Sequence, residues 1–202
     1  MTTITGIVLA GGKSSRLGEN KAFLEVGGGA IITRVFEALK DLCEEVIISA
    51  NNPERYSDFP YRVIPDSVPQ GGALVGLHSS LTVARTDLAF VVACDMPFLS
   101  RGLIRHMMDN VESCDAFVPV VNEYLEPLHA IYSRRCLDAI EKHIDMKDRH
   151  LRSFYDDVNV GYLDEDAIRK FTAPEKVFFN VNTPEDLQKA RTILSTEKAP
   201  QR

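Results

Sequence analysis

Ile7 to Phe23 reads IVLAGGKSSRLGENKAF. The run begins β-branched and apolar, stops at Gly11-Gly12, and continues as a loop carrying Lys13, Arg16 and Lys21, with serines and Gly18 between them. A short apolar run closed by glycines predicts a buried strand, here Ile4 to Leu9, opening into a backbone loop. Glycines placed directly after a first strand let backbone N–H groups approach phosphate oxygens, and nearby cations complete the neutralisation. The same features also suit an ordinary connection, because any parallel sheet has loops with glycine and lysine. Two familiar nucleotide signatures fail: GxGxxG is absent, and Gly12-Lys13-Ser14 ends like a Walker A motif whose earlier glycine would have to fall at Ile7.

Outward from this loop, strands and helices alternate. Ala30 to Leu42 carries an apolar stripe (Ile31, Ile32, Val35, Phe36, Leu39, Leu42) and predicts a helix. Glu45 to Ser49 predicts a second strand, ending at the turn cluster ANNPERY; Tyr61 to Pro65 predicts a third strand and Ala73 to Ala84 a helix. Leu88 to Cys94, LAFVVAC, has the strongest strand character and stops at Asp95-Met96-Pro97. Ser100 is placed to cap a helix running to about Asn110. Ala116 to Val121, Leu128 to Tyr132 and Val177 to Val181 predict strands; Arg134 to His143 and Asp148 to Tyr155 predict helices. NTPEDL opens a last helix, with Thr183 as N-cap, Pro184 in the first position and Asp186 near the positive end of the dipole. This pattern predicts one domain over residues 1–195, then a frayed, disordered tail over 196–202. The class is α/β: three layers around a mostly parallel sheet, with Rossmann-like nucleotide-binding architecture. Ligands of such sheets lie beyond the carboxyl ends of the strands. That rule selects the loop after Leu9, then Asn51, Asp66 and Asp95.

Composition narrows the class. The chain has 202 residues and a formal net charge of −6, which argues against a sequence-independent nucleic-acid binder while leaving room for a small phosphorylated substrate on a local cationic cluster. Cys43, Cys94, Cys114 and Cys136 form no CxxC pair, so reduced thiols are the simplest reading. The opening MTTITG lacks the pattern of a secretion signal, and no apolar run approaches the roughly 18 residues a membrane span needs. A cytoplasmic protein without membrane partners is expected.

The wider stretch LAGGKSSRLGENK resembles LAGGxSxRMGxxK, the signature of nucleotidyltransferases that activate a phosphate with a nucleoside triphosphate. DSVPQGGALVGL, ACDMPFL and FNVNTPEDL continue the likeness in order, and together they are similar to the molybdenum cofactor guanylyltransferase family. Three departures stand out: Asn20 where an aspartate usually precedes the lysine, GGGAI for Gly-Lys-Pro-Leu, and GGALVG without its proline.

The resemblance implies a nucleotide-diphospho-sugar transferase-like fold, with GTP and molybdopterin as small-molecule partners. Molybdenum cofactor biosynthesis proteins and molybdoenzyme apoproteins would be protein partners. It places the nucleotide on Leu9, Ala10, Gly11, Gly12, Lys21, Asn51, Asp66 and Asp95, with Arg16, Lys21 and Asp95 catalytic. Asp95 would ligate Mg²⁺, which is typically held by one or two carboxylates plus substrate phosphates; the competing role is a helix N-cap. Asp66 and Asn51 are equally at home as turn residues. Asn180 and Asn182, two apart on the expected strand, would share one face near the acceptor, or simply lead into the capped helix. His129 is expected to be a half-buried, hydrogen-bonded histidine. Two other readings stay open: transfer of a different nucleotide, such as CMP, to a phosphorylated small molecule, or a nucleotide-binding accessory protein without turnover.

Overall fold

The computed structural model describes residues 2–11, 21–69, 71–111 and 113–198. Gly12, Lys13, Arg16 and Asn20 therefore lie outside the described residues. In chain order the elements are β1 (Thr5–Leu9), α1 (Ile31–Leu39), β2 (Glu45–Ser49), β3 (Arg62–Ile64), α2 (Gly72–Val83), β4 (Leu88–Ala93) and α3 (Arg101–Asn110). Then come β5 (Ala116–Val121), β6 (Tyr124–Leu125), β7 (His129–Ser133), α4 (Leu137–Asp145), β8 (Val160–Leu163), α5 (Glu165–Arg169), α6 (Pro174–Val177) and α7 (Pro184–Lys198).

The strands form one sheet in the order β3-β2-β1-β4-β7-β5-β6, with β8 joined to the free side of β5. The β3–β2, β2–β1 and β1–β4 pairs and the β5–β8 pair are parallel; β7 runs antiparallel to both β4 and β5. β1 is buried along its whole length, and its side chains alternate between faces as strand geometry requires. Val8 joins Ile32, Val35 and Phe36 of α1 and Leu103, Ile104 and Met107 of α3. Ile7 and Leu9 join Leu74, Leu77 and Leu81 of α2 and Ile140 of α4 on the other face. A third, smaller cluster of Val26, Ile31, Phe98, Val181, Ala190 and Leu194 ties α7 to the segment before α1. No helix among the described residues is long and apolar enough to cross a membrane.

Caps follow the local chemistry. Leu103 N donates to Ser100 Oγ (3.3 Å), and Asp186 N donates to Thr183 Oγ1 (3.1 Å). α7 runs to Lys198, past the expected end of the domain at residue 195.

Several expectations are corrected. Val177 to Val181 is no strand: α6 ends at Val177 and residues 178–183 are irregular, with Phe178 packing on His129 of β7 and Val181 in the cluster around α7. Asp148 to Tyr155 is no α-helix either; Leu151, Phe154 and Tyr155 mimic helical spacing but reach the core from successive turns. The β5–β6 hairpin turns at Asn122 and Glu123, both at positive φ (48° and 68°), a two-residue turn written without the usual glycine.

His129 is not half-buried and paired. It is fully buried between the rings of Phe90 and Phe178 (centroids 4.9 and 5.1 Å away), and neither ring nitrogen has a partner among the described residues. Burial pushes its imidazole down to about 3 from 6.5. The unfolded chain therefore takes up this proton first, and stability is lost as pH falls from about 6.5 towards 3. Replacing the ring by an apolar side chain, as in His129→Leu, removes that loss. The wild type should lose up to about 1.4 kcal/mol per pH unit relative to the variant once below the unfolded pKa. Denaturant melts of both chains between about pH 7 and about pH 5 check this; parallel profiles would contradict it.

Candidate active site

The carboxyl ends of β1, β2 and β4 lie side by side, with Leu9 opposite Ser49 on one side and Ala93 on the other. Backbone bonds extend the register beyond the strands: Ala10 N donates to Ser49 O (2.9 Å) and Cys94 N to Leu9 O (3.1 Å). Tyr56 closes the near side by donating its hydroxyl to Ala10 O (3.3 Å). Leu9, Ala10 and the exposed Gly11 thus form the floor of the crevice selected from the sequence.

Asp95 stands at its centre, in the turn that leaves β4. Its side chain is 17% exposed and lies 3.8 Å from the Lys21 ammonium. Burial pushes the carboxyl above its ordinary value, and the Lys21 charge opposes the shift. Lys21 Nζ also donates to Asn182 Oδ1 (2.5 Å), across 161 residues of sequence. Val181 N donates to Asp95 O (3.0 Å), so the segment before α7 is tied to the end of β4. The cap of α7 completes this arm: Asp186 Oδ2 accepts from both Asn182 N (3.1 Å) and Thr183 N (3.0 Å), fixing the backbone that presents Asn182. Asn180 is not beside Asn182 on a strand face; its side chain turns back to donate to Phe178 O (3.0 Å).

Asn51 and Asp66 form a second unit, on the β2–β3 side. Asn51 Nδ2 donates to Asp66 Oδ2 (2.9 Å), and Asp66 N donates to Asn51 Oδ1 (2.8 Å). α2 begins beside this pair at Gly72, whose φ of +75° favours glycine. One turn on, a methyl at Gly76 would fall 2.6 Å from Ser49 Oγ and 3.5 Å from Asp66 Oδ1, so only glycine lets the helix come this close. The rule about strand ends also pointed to Ser49, which the sequence reading passed over.

Among the described residues of the crevice, Asp95 is a carboxylate that could hold a metal. Among the described residues, no three or more His, Cys, Asp or Glu side chains cluster as a metal site. A single poorly solvated carboxylate does not fit zinc, which takes a closed set of protein ligands or three plus water. It does fit a hard cation that takes the rest of its shell from water and phosphate oxygens. The neighbouring Cys94 is no nucleophile: burial, followed by the Asp95 charge, pushes its thiol up to about 12.

The arrangement therefore offers a cation and a metal-fitting carboxylate at one point of a crevice, with Gly76 of α2 packed close to Ser49 and Asp66 on one flank. The MobA-like NTP transferase domain matches residues 6–162. A probable molybdenum cofactor guanylyltransferase of Pelotomaculum thermopropionicum is 43% identical, over 98% of this chain and 97% of its own. A molybdenum cofactor guanylyltransferase of Desulfosudis oleivorans is 37% identical, over 96% and 97%. Among solved structures, molybdopterin-guanine dinucleotide biosynthesis protein A of Archaeoglobus fulgidus superposes with a TM-score of 0.84 at 29% identity, covering 96% of this chain and all of that one. By sequence and by the arrangement of its strands, the chain belongs to the MobA-like NTP transferase family.

Proposed function

We propose that the protein transfers GMP from GTP to the phosphate of molybdenum-bearing molybdopterin, releasing pyrophosphate. The observation that carries this reading is the meeting of Lys21, Asp95 and Asn182 at the carboxyl ends of β1 and β4. Relatives 33–43% identical over nearly the full chain are named for this activity.

The acceptor brings its own nucleophile, a phosphate oxygen, so no side chain need form a covalent intermediate. That oxygen attacks the α-phosphorus of GTP, a new P–O bond forms, and the bond to the departing pyrophosphate breaks. The chain's work is positioning and charge stabilisation. Lys21, held by Asp95 and Asn182 without substrate, is placed to turn its ammonium to the phosphates. Arg16 and the backbone of Gly11 and Gly12 would complete the anion cradle. Asp95 would hold Mg²⁺, which, when bound, offsets charge on the reacting phosphates. Asn51 and Asp66, beside the glycines that open α2, would contact the nucleotide. Asn182 would face the acceptor, while Asn180, bound back to Phe178 O, would support that segment. GTP and molybdopterin are the small-molecule partners of this reading, with cofactor-assembly proteins and molybdoenzyme apoproteins beyond them.

Asp95→Asn should lower kcat by at least about 100-fold while leaving the melting temperature near wild type, since a lost metal ligand removes several kcal/mol of transition-state stabilisation. Pyrophosphate release at limiting Mg²⁺ measures it; activity within a few-fold of wild type would remove the metal assignment. Lys21→Ala should impair triphosphate binding or turnover far more than Lys13→Ala. Equal losses in the same assay would mean a diffuse cationic loop instead of one positioned ammonium. The wild type should prefer GTP over CTP by about tenfold or more in kcat/KM, because a site that pairs the guanine edge leaves its own polar groups unpaired with another base. Comparable use of CTP would reject the guanine assignment and leave nucleotidyl transfer standing.

A further inference from the structure

Glu126 to His129 forms a tight turn between β6 and β7, closed by His129 N donating to Glu126 O (3.1 Å). Three further bonds pin it. Glu126 N donates to Pro119 O of β5 (2.9 Å), the Tyr132 hydroxyl donates to Pro127 O (2.9 Å), and Ala93 N donates to Leu128 O (3.2 Å). The Tyr132 hydroxyl is itself paired with that of Tyr155 (2.6 Å) in the buried layer behind the sheet. Because β7 is antiparallel to β4, this turn lies at the carboxyl end of β4, and its bond to Ala93 is made two residues before Asp95.

Glu126 is half-buried, and its side chain has no hydrogen-bond or ion-pair partner among the described residues. Burial alone pushes its carboxyl up to about 7. Withdrawing even part of such a group from water without a donor is costly. A pinned turn at the carboxyl end of β4, carrying a half-buried carboxylate with no partner among the described residues, suits a ligand that brings the donors.

Topology says which ligand. In the strand order, Asn51 and Asp66 follow β2 and β3 on one flank of β1 and β4, and Glu126 precedes β7 on the other. The proposed nucleotide contacts, Asn51 and Asp66, and Glu126 are therefore separated by the Lys21–Asp95 centre. We infer that Glu126 reads the pterin ring of the acceptor, accepting two parallel hydrogen bonds from the ring N–H and the adjacent exocyclic amine of its 2-amino-4-oxopyrimidine edge. Two coplanar acceptors facing two adjacent donors give a bidentate, orientation-fixing contact. The contact aligns the acceptor with its phosphate end towards Lys21 and Asn182. This inference rests on the reading of molybdopterin as acceptor.

Guanine carries the same donor edge, so the test must separate the two substrates. Steady-state pyrophosphate release is measured for wild type, Glu126→Gln and Glu126→Ala, varying molybdopterin and GTP in turn, with GTP binding measured separately without acceptor. Both variants should raise the KM for molybdopterin roughly 10- to 100-fold, the range expected for losing hydrogen bonds to a charged group. GTP binding, the KM for GTP and kcat at saturating acceptor should stay within about twofold. An unchanged molybdopterin KM in both variants, with an active wild type, overturns the role of Glu126 alone. A matching loss of GTP binding overturns it too, by making the residue structural or a reader of guanine. A wild type that releases no pyrophosphate in response to molybdopterin overturns the acceptor assignment itself.

Discussion

A carboxylate brought to the end of the central strand, with most of its surface withdrawn from water, requires a positive charge close by. Asp95 is that carboxylate, and much of the site is arranged around its requirement. Its main chain is held from both sides, by the bond from Cys94 to β1 and by the bond from Val181. Its side chain meets the Lys21 ammonium, whose far side is held by Asn182, and Asn182 is held in turn by the cap of α7. Each link answers a polar group that the previous one brought out of solvent. On the proposed function the pairing would also be exchangeable, because an entering triphosphate with its cation would offer Lys21 and Asp95 opposite charges of their own.

The direction of β7 gives this centre two unlike flanks. On the β1–β2–β3 side every strand is parallel, so their carboxyl ends and the start of α2 open together, and small residues bring the helix close to Ser49 and Asp66. On the other side β7 enters the sheet antiparallel, so the beginning of a strand, with its preceding turn, stands where a strand end would otherwise lie. A reaction joining two phosphorylated partners through one reacting centre suits such a division. On the proposed assignment each partner would meet its own kind of edge, and neither would have to displace the other.

The sequence disclosed what short-range chemistry controls. β2 and β5 are bounded as their β-branched runs predict, and Ser100 and Thr183 cap as their positions demand. Local pattern misled where apolar residues serve packing alone. Val177 to Val181 looks like a strand but has no strand to pair with, and Leu151, Phe154 and Tyr155 share helical spacing without a helix. The β5–β6 hairpin was hidden because Asn122-Glu123 accepts left-handed geometry that a sequence reader assigns to glycine. In the site, Asp95, Lys21 and Asn182 were legible as separate members of motifs. Their mutual contact was not, because nothing local in residues 21 and 182 records that they meet. The unpaired state of His129 was invisible for a related reason: it depends on Phe90 and Phe178 arriving from distant segments.

The contact from Lys21 to Asn182 spans 161 residues, and this has a kinetic side. Closing so long a loop costs entropy that later contacts must repay, and non-local pairings of this kind form late. The β1–β2–β3 portion joins strands from neighbouring parts of the sequence and can organise from its own segments. The ammonium gains its final orientation only when α7 docks its cap beside β4. During synthesis, a chain emerging from the ribosome would thus display a recognisable nucleotide fold before it had a competent reaction centre, with catalytic competence arriving among the last events of folding.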